Sequence, residues 1–179
     1  MAVAVTLCLT ACATSQGDDV APATQVAAPV ARSPAAATPY YVEFHSRPSI
    51  VSGHTYLVYG ALDANGAPTS QDVVGFYPDA GLFGLVAGLV AFPGTVGQDF
   101  FDEKIPDYNS WRRNLTVEQY RRLTAFIDGE KAKAKVWNLL VNNCNDFAAD
   151  AATAIGLKAP SERAIPPPLF IMALRSLNG

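Results

Sequence analysis

The chain has 179 residues, of which 50% are hydrophobic and 16% are charged, and its formal net charge is -3. This is enough for one globular domain, and the acidic balance leaves no strongly basic surface for a nucleic acid partner. With two His, three Cys and no C-x-x-C pair, the usual zinc spacings are absent. Neither glycine-rich phosphate-binding motif occurs, so we expect no metal and no cofactor.

The first twelve residues form a short apolar run that ends at Cys12 and gives way to a polar stretch. Such a run is too short to cross a bilayer, which takes about 20 apolar residues, but it suits the apolar part of a secretory signal. Its end, Leu9-Thr10-Ala11-Cys12, resembles the lipobox of bacterial lipoproteins. The resemblance implies that residues 1–11 are a signal peptide, which removes Cys8, and that Cys12 is lipidated.

No Lys or Arg precedes Arg32, so the positive segment that normally opens such a signal is missing. We therefore expect the reading frame to start further upstream; the alternative is an ordinary apolar N-terminus with a chance Cys. Ala13 favours the outer membrane, facing the periplasm, by analogy with Gram-negative lipoproteins. Residues 12–39 are rich in Ala and Pro and nearly free of charge, which predicts a lipidated tether before a folded domain at 40–179.

Strands are predicted where aromatic and β-branched residues concentrate, and helices where a capping box precedes an apolar period of 3.6 residues. The predicted strands are residues 40–44, 53–59, 71–77, 111–115 and 136–141, with a hairpin turn at 63–66. Helices are predicted from the capping boxes at 116–119 and 143–146, ending near 129–131 and at 155, and from the prolines at 166–168 to 177. Residues 98–110 are expected to form a surface excursion, and 82–92 are apolar but too short to span a membrane.

Cys144 is predicted in the first turn of the second helix, where unpaired backbone N–H groups and the helix dipole favour an anion. Both effects are expected to lower the pKa of the thiol and to favour the nucleophilic thiolate. Phe147 and Ile155 share its face of the helix, so the sulfur is expected to point towards the sheet. A thiol nucleophile needs a base within hydrogen-bond reach, and His54, near the start of a predicted strand, is the preferred candidate.

The segment Gly53-His54-Thr-Tyr-Leu-Val-Tyr59, followed about 90 residues later by Asn142-Asn143-Cys144-Asn145-Asp146-Phe147, resembles the circularly permuted papain-like superfamily. That group includes permuted NlpC/P60-type peptidases, lecithin:retinol acyltransferase-like enzymes and PPPDE peptidases. In it a His on an early strand precedes a Cys at a helix start, the reverse of the order in papain. Over about residues 40–156, the resemblance implies a permuted papain-like α+β fold, with a small antiparallel sheet packed on the Cys helix. Carried over by position, it implies Cys144 as nucleophile and His54 as general base.

The third catalytic member, a polar residue that orients the imidazole, usually comes from the strand after the His strand in this superfamily. A hairpin that turns at residues 65–66 places His54 near Tyr77, which we take as the third residue. Tyr77 is not the Asn, Gln or His common in that role, and some relatives work as a dyad. His45 is expected to be exposed, and it is the alternative base if the register differs.

Several polar residues have both a structural and a functional interpretation. Asn143 and Asn145 are expected to cap and turn the helix start; alternatively, an Asn side chain and the backbone N–H of Cys144 form an oxyanion hole. Asp99, Asp102 and Glu103 resemble a carboxylate cluster, for which a solvated loop is expected rather than a metal or glycosidase site. The paired arginines at 112–113 and 121–122 are expected to be a solvated face; the alternative is contact with an anionic polymer or lipid.

These expectations combine into a lipid-anchored, monomeric envelope protein that cleaves amide bonds with a Cys-His pair. Peptidoglycan stem peptides are the expected substrate, because they are the amides most available to a tethered periplasmic protein. A second hypothesis is an acyltransferase or lipid amidase, with residues 82–92 lining an acyl groove. A third is a non-catalytic envelope module that only binds. The membrane is expected as a partner through the lipid anchor.

Overall fold

An antiparallel sheet of six strands organises residues 38–49, 53–79, 91–133 and 135–179, which are the residues that the computed structural model describes. The strands are β1 Tyr40–Arg47, β2 His54–Ala61, β3 Asp72–Pro78, β4 Phe92–Gly97, β5 Asn109–Leu115 and β6 Lys135–Trp137. The helices are α1 Val117–Lys131, α2 Cys144–Ala154 and α3 Pro167–Asn178. The predicted α+β class with an antiparallel sheet is confirmed.

The strands lie in the order β5-β1-β2-β3-β4-β6, which places β2 near the middle of the sheet. The turn between β2 and β3 forms because the Asp63 carboxylate accepts hydrogen bonds from the backbone N–H groups of Asn65 and Ala67, while Gly66 takes a φ of 82°. The resulting register pairs Tyr56 with Gly75. On the other side of β2, His54 is paired with Arg47 of β1.

Alternation along the strands gives the sheet two different faces. One face, here called the helix face, is covered by α1, α2 and α3 and holds the main apolar core. Its sheet residues include Val42, Phe44, Leu57, Tyr59, Val74 and Phe76, which pack on Leu123, Ile127, Phe147, Phe170 and Leu174 of the helices.

The opposite face carries a small separate cluster of Tyr41, Tyr56 and Val58, together with polar side chains. Residues 98–108, here called the strap, supply carboxylates that bond side chains of this face. We call it the strap face.

Both predicted capping boxes are present. Thr116 and Gln119 cap α1 reciprocally, and Asn143 and Asp146 do the same for α2. Gly156, with a φ of 84°, follows the end of α2 as predicted.

The strand predicted over residues 136–141 is wrong beyond Trp137. The side-chain oxygen of Asn138 accepts from the backbone N–H groups of Leu140 and Val141, which folds the chain into a turn. Strand β4 was not predicted, since Pro93, Gly94 and Gly97 obscure its pattern. Gly94 is suited to its place, because a Cβ there would lie 2.6 Å from the Phe76 ring.

Among the helices of the described ranges, none is long and apolar enough to cross a membrane. The signal segment, Cys8, Cys12 and the tether as far as residue 37 lie outside the described residues, as do residues 82–90 of the apolar stretch. Phe92, at the end of that stretch, begins β4.

Candidate active site

Cys144 is the first residue of α2, as the capping pattern predicts. The side chain of Asn143 accepts hydrogen bonds from the backbone N–H groups of Asn145 and Asp146, and Asp146 accepts one from the Asn143 N–H at 2.9 Å. The capping role expected of Asn143 is therefore confirmed. Cys144 is 8% exposed and forms no disulfide.

The sulfur of Cys144 lies against β2. Burial raises the pKa of the thiol, and the backbone N–H and hydroxyl of Thr55, with the N–H groups at the helix start, only partly offset this effect. The N–H groups at the helix start do lower the pKa of Cys144, as expected, but burial outweighs them, so the expected net lowering is wrong in this conformation. The resting group is a neutral thiol, and its use as a nucleophile requires a base.

Thr55 and Asn145 form a buried link between β2 and α2. The Thr55 hydroxyl donates to Asn145 Oδ1 at 2.6 Å, and Asn145 Nδ2 donates to the carbonyls of Arg163 and Ile165, each at 2.8 Å. These bonds occupy both N–H groups of the Asn145 amide. In this conformation Asn145 holds the helix start in place. The N–H groups of Asn145 and Asp146 donate to the Asn143 side chain, so the backbone N–H of Cys144 remains the candidate oxyanion donor.

His54 is the first residue of β2, and its ring packs on the strap face. The ring centroid lies 4.5 Å from that of Tyr77 and 6.3 Å from that of Tyr56. The side chain is nearly closed to solvent, at 7% exposure, and Nε2 is buried without a hydrogen-bond partner. Burial lowers the pKa of His54 to about 3, and the nearby charge of Arg47 acts in the same direction. The imidazole is therefore neutral at physiological pH, which is the state that can accept a proton.

Gly75 makes room for this arrangement. A Cβ at Gly75 would lie 2.8 Å from His54 Nε2 and 2.5 Å from the Tyr77 hydroxyl. Any larger residue at this position would meet both side chains, so glycine allows them to lie close to the backbone of β3.

Tyr77 lies beside His54, as the hairpin register predicts, but its hydroxyl donates to Asp102 of the strap. Burial raises the pKa of Tyr77, and the charge of Asp102 raises it further, so the group stays a neutral phenol. Tyr77 therefore lies next to His54 but bonds to Asp102, and its role as third catalytic residue stays a prediction.

Asp102 is buried, at 1% exposure, and the expected solvated loop is wrong for this residue. Arg47, itself buried, donates from Nε to Asp102 at 2.8 Å and from Nη2 to Asp99 at 3.1 Å. The backbone N–H of Asp99 donates to the second oxygen of Asp102 at 3.0 Å. Sequence analysis missed this pair, because Arg47 lies beyond the predicted strand 40–44 and Asp102 lies in a loop that was expected to be solvated.

His45 is not exposed, contrary to expectation. Its ring nitrogens lie 2.6 Å from Asp107 and 3.1 Å from Glu43, and Tyr56 donates to Asp107 at 2.9 Å. Burial opposes a positive charge here, but the two carboxylates outweigh it and raise the pKa of His45. Both ring nitrogens are engaged by carboxylates and the raised pKa favours the protonated form, so His45 is poorly suited to act as the alternative base.

A surface cavity of about 370 Å³ lies on the strap face, lined by Glu43, His45, Tyr56, Gln71, Glu103 and Asp107 among others. Within the ranges that the structure describes, no group of three or more His, Cys, Asp or Glu is arranged to hold a metal ion.

Arg112 is exposed, as expected, and it pairs with Glu43 at 2.7 Å and lies over the Tyr41 ring. Arg121 pairs with Glu118 on the exposed side of α1 and fits the expected solvated face.

The structure brings Cys144 and His54 to the same end of β2 without joining them. The sulfur lies by Thr55, whose hydroxyl bonds to α2, whereas the ring of the preceding His54 packs on the strap face. In the described part of the chain, no hydrogen bond links Sγ to the imidazole. A reacting pair therefore requires the side chains to move together at the start of β2.

Comparisons of the chain with known protein families, with curated proteins and with solved structures find no match. The functional interpretation consequently depends on the residues and contacts described above.

Proposed function

We propose that the chain is a thiol hydrolase that cleaves amide bonds, with Cys144 as nucleophile and His54 as general base on a permuted papain-like domain. The observation that supports this most directly is the contact of the Cys144 sulfur with the backbone of Thr55, the residue after His54. The contact brings the thiol, at the capped start of α2, to the end of β2 that begins with the neutral imidazole of His54. The order of His before Cys agrees with the resemblance.

In the proposed reaction, His54 takes the proton from Cys144, and the thiolate attacks the carbonyl carbon of the amide. The backbone N–H of Cys144, at the start of α2, donates to the oxyanion. The imidazolium gives its proton to the leaving amine, and a thioester remains on Cys144. Water, deprotonated by His54, then attacks the thioester and releases the acid and the thiol.

Both reacting groups are neutral before the reaction, because burial raises the pKa of Cys144 and lowers that of His54. Transfer of the proton from sulfur to nitrogen is therefore unfavourable in the resting conformation. Substrate binding must bring the two side chains together and place the oxyanion donors. We expect slow reaction with small probes and faster reaction with the true substrate.

The lipobox and the tether suggest where this activity acts. A protein acylated at Cys12 and held by an Ala/Pro-rich segment at the outer membrane would face peptidoglycan, whose stem peptides contain suitable amides. Metabolic labelling with a palmitate analogue tests the anchor: Cys12→Ala should lose the label, and the matched control Cys8→Ala should keep it.

The function is tested by incubating the purified protein separately with peptidoglycan and with acyl-lipid vesicles. Release of peptide fragments is expected from peptidoglycan, and it should fall at least 100-fold in Cys144→Ser and His54→Asn, since each removes a reacting group. His45→Asn, a substitution of the other histidine, should retain the activity.

The other outcomes separate the alternatives. Consumption of the lipid instead of peptidoglycan would support the acyltransferase or lipid amidase. If neither substrate reacts, and an electrophilic thiol probe labels Cys144 equally with and without His54, the non-catalytic binding module is the better account.

A further inference from the structure

The unpartnered Nε2 of His54 is the starting observation. A buried ring nitrogen normally has a hydrogen-bond partner, because leaving it without one costs free energy. The Tyr77 hydroxyl is nearby: it and Nε2 both lie within 2.8 Å of the point that a Gly75 Cβ would occupy. The two polar atoms are therefore neighbours beside the backbone of Gly75, although no hydrogen bond joins them in this conformation.

The Tyr77 hydroxyl is itself oriented by a buried anion. It donates to one oxygen of Asp102, which also accepts the backbone N–H of Asp99, while the other oxygen accepts Arg47 Nε at 2.8 Å. The Asp102 side chain has no exposed surface. With its proton directed at Asp102, the hydroxyl presents a lone pair to an approaching N–H.

We propose that Asp102 is a positioning residue for His54 and acts through Tyr77. His54 Nε2–H donates to the Tyr77 hydroxyl oxygen, and that hydroxyl donates to the Asp102 carboxylate. Since a neutral imidazole carries one N–H, this arrangement leaves Nδ1 as the basic nitrogen. The proposal rests on the proposed function, in which Nδ1 takes the proton of Cys144, and it adds a residue that lies outside the sheet.

The charges on the strap face fit this role. The Arg47 guanidinium disfavours the positively charged form of His54, and the Asp102 carboxylate favours that form. The Arg47–Asp102 pair reduces the field of each charge at the ring, so the base can charge during the reaction and return to its neutral form. Tyr77 also keeps its own proton throughout, because its pKa is raised.

The test uses the fact that the chain has two histidines. In protein labelled with ¹⁵N-histidine, the ring nitrogen shifts report which nitrogen carries the proton, and His45→Gln assigns the two sets of signals. We expect His54 to show the Nε2–H form. Tyr77→Phe and Asp102→Asn should lose that preference, and kcat should fall about tenfold with little change in KM.

Glu103→Gln is the matched control, since Glu103 is also a strap carboxylate but accepts hydrogen bonds from Gln71 and Gln98 on the exposed side. It should leave the tautomer and kcat unchanged. Tyr77→Phe keeps the Arg47–Asp102 pair, so it decides the question even if Asp102→Asn does not fold. An unchanged His54 tautomer in folded Tyr77→Phe would overturn the proposal. Retained activity in Cys144→Ser would instead overturn the proposed function. The ¹⁵N shifts of His54 would still report its tautomer in that case.

Discussion

The two faces of the sheet are buried by different chemistry. The helix face packs aromatic and aliphatic side chains on three helices, and four alanines of α2 allow that helix to approach the sheet closely. The strap face instead buries an arginine, a histidine and an aspartate under a loop. Apolar burial stabilises the fold directly, whereas a buried ion pair contributes little net stability because desolvation costs about as much as pairing returns. The difference suggests that the strap face is maintained for its chemistry.

The first prediction tests the helix face, where the largest effect is expected. Phe147 of α2 is buried against Phe126, with ring centroids 5.5 Å apart. Phe147→Ala should lower the free energy of unfolding by about 4 kcal/mol, through lost apolar burial and the cavity left behind. Urea denaturation followed by circular dichroism measures this. Val141→Ala, at an exposed position before the same helix, should change it by less than about 0.5 kcal/mol.

The second prediction tests the strap face. Arg47→Met leaves the Asp102 carboxylate buried without its main partner, and should lower the free energy of unfolding by about 3 kcal/mol. It should also raise the pKa of His54 above its value of about 3, because a nearby positive charge is removed. The double variant Arg47→Met/Asp102→Leu should recover most of the lost stability. If the double variant is less stable than either single one, the pair is a source of stability and the contrast between the faces is wrong.

The same contrast explains what the sequence could predict. Capping boxes, the Asp63 turn and strand alternation are local signals, and they located α1, the start of α2 at Cys144 and, to within one residue, the start of β2 at His54. The hairpin register then brought Tyr77 near His54, because antiparallel pairing follows from the turn.

The missed features depend on contacts between distant segments. Strand β4 exists because β3 and β6 pair with it, although its own residues suit a strand poorly. The burial of Asp102 and of His45 follows from strap carboxylates meeting β1. A charged residue in a polar loop gives no local sign of the partner that the sheet supplies. The approach of Cys144 to Thr55 likewise depends on a contact between distant segments.

The smallest predicted effect is a pH dependence of stability that belongs to the strap face. Because Glu43 and Asp107 raise the folded-state pKa of His45, its contribution to stability is complete below the unfolded pKa of about 6.5 and is lost as pH rises through the folded value. The pH dependence that comes from His54 has the opposite sign. Its folded-state pKa is lowered to about 3, so its contribution to stability is lost only as pH falls below the unfolded pKa of about 6.5. Urea unfolding between about pH 6.5 and 8 stays below the unfolded pKa of Cys144, about 8.5, so it reports mainly on His45, and the wild-type free energy of unfolding should decline over this window. His45→Gln should flatten the decline, while His54→Asn should keep it. An equal decline in His45→Gln would show that the strap is not held to β1 by a protonated imidazole.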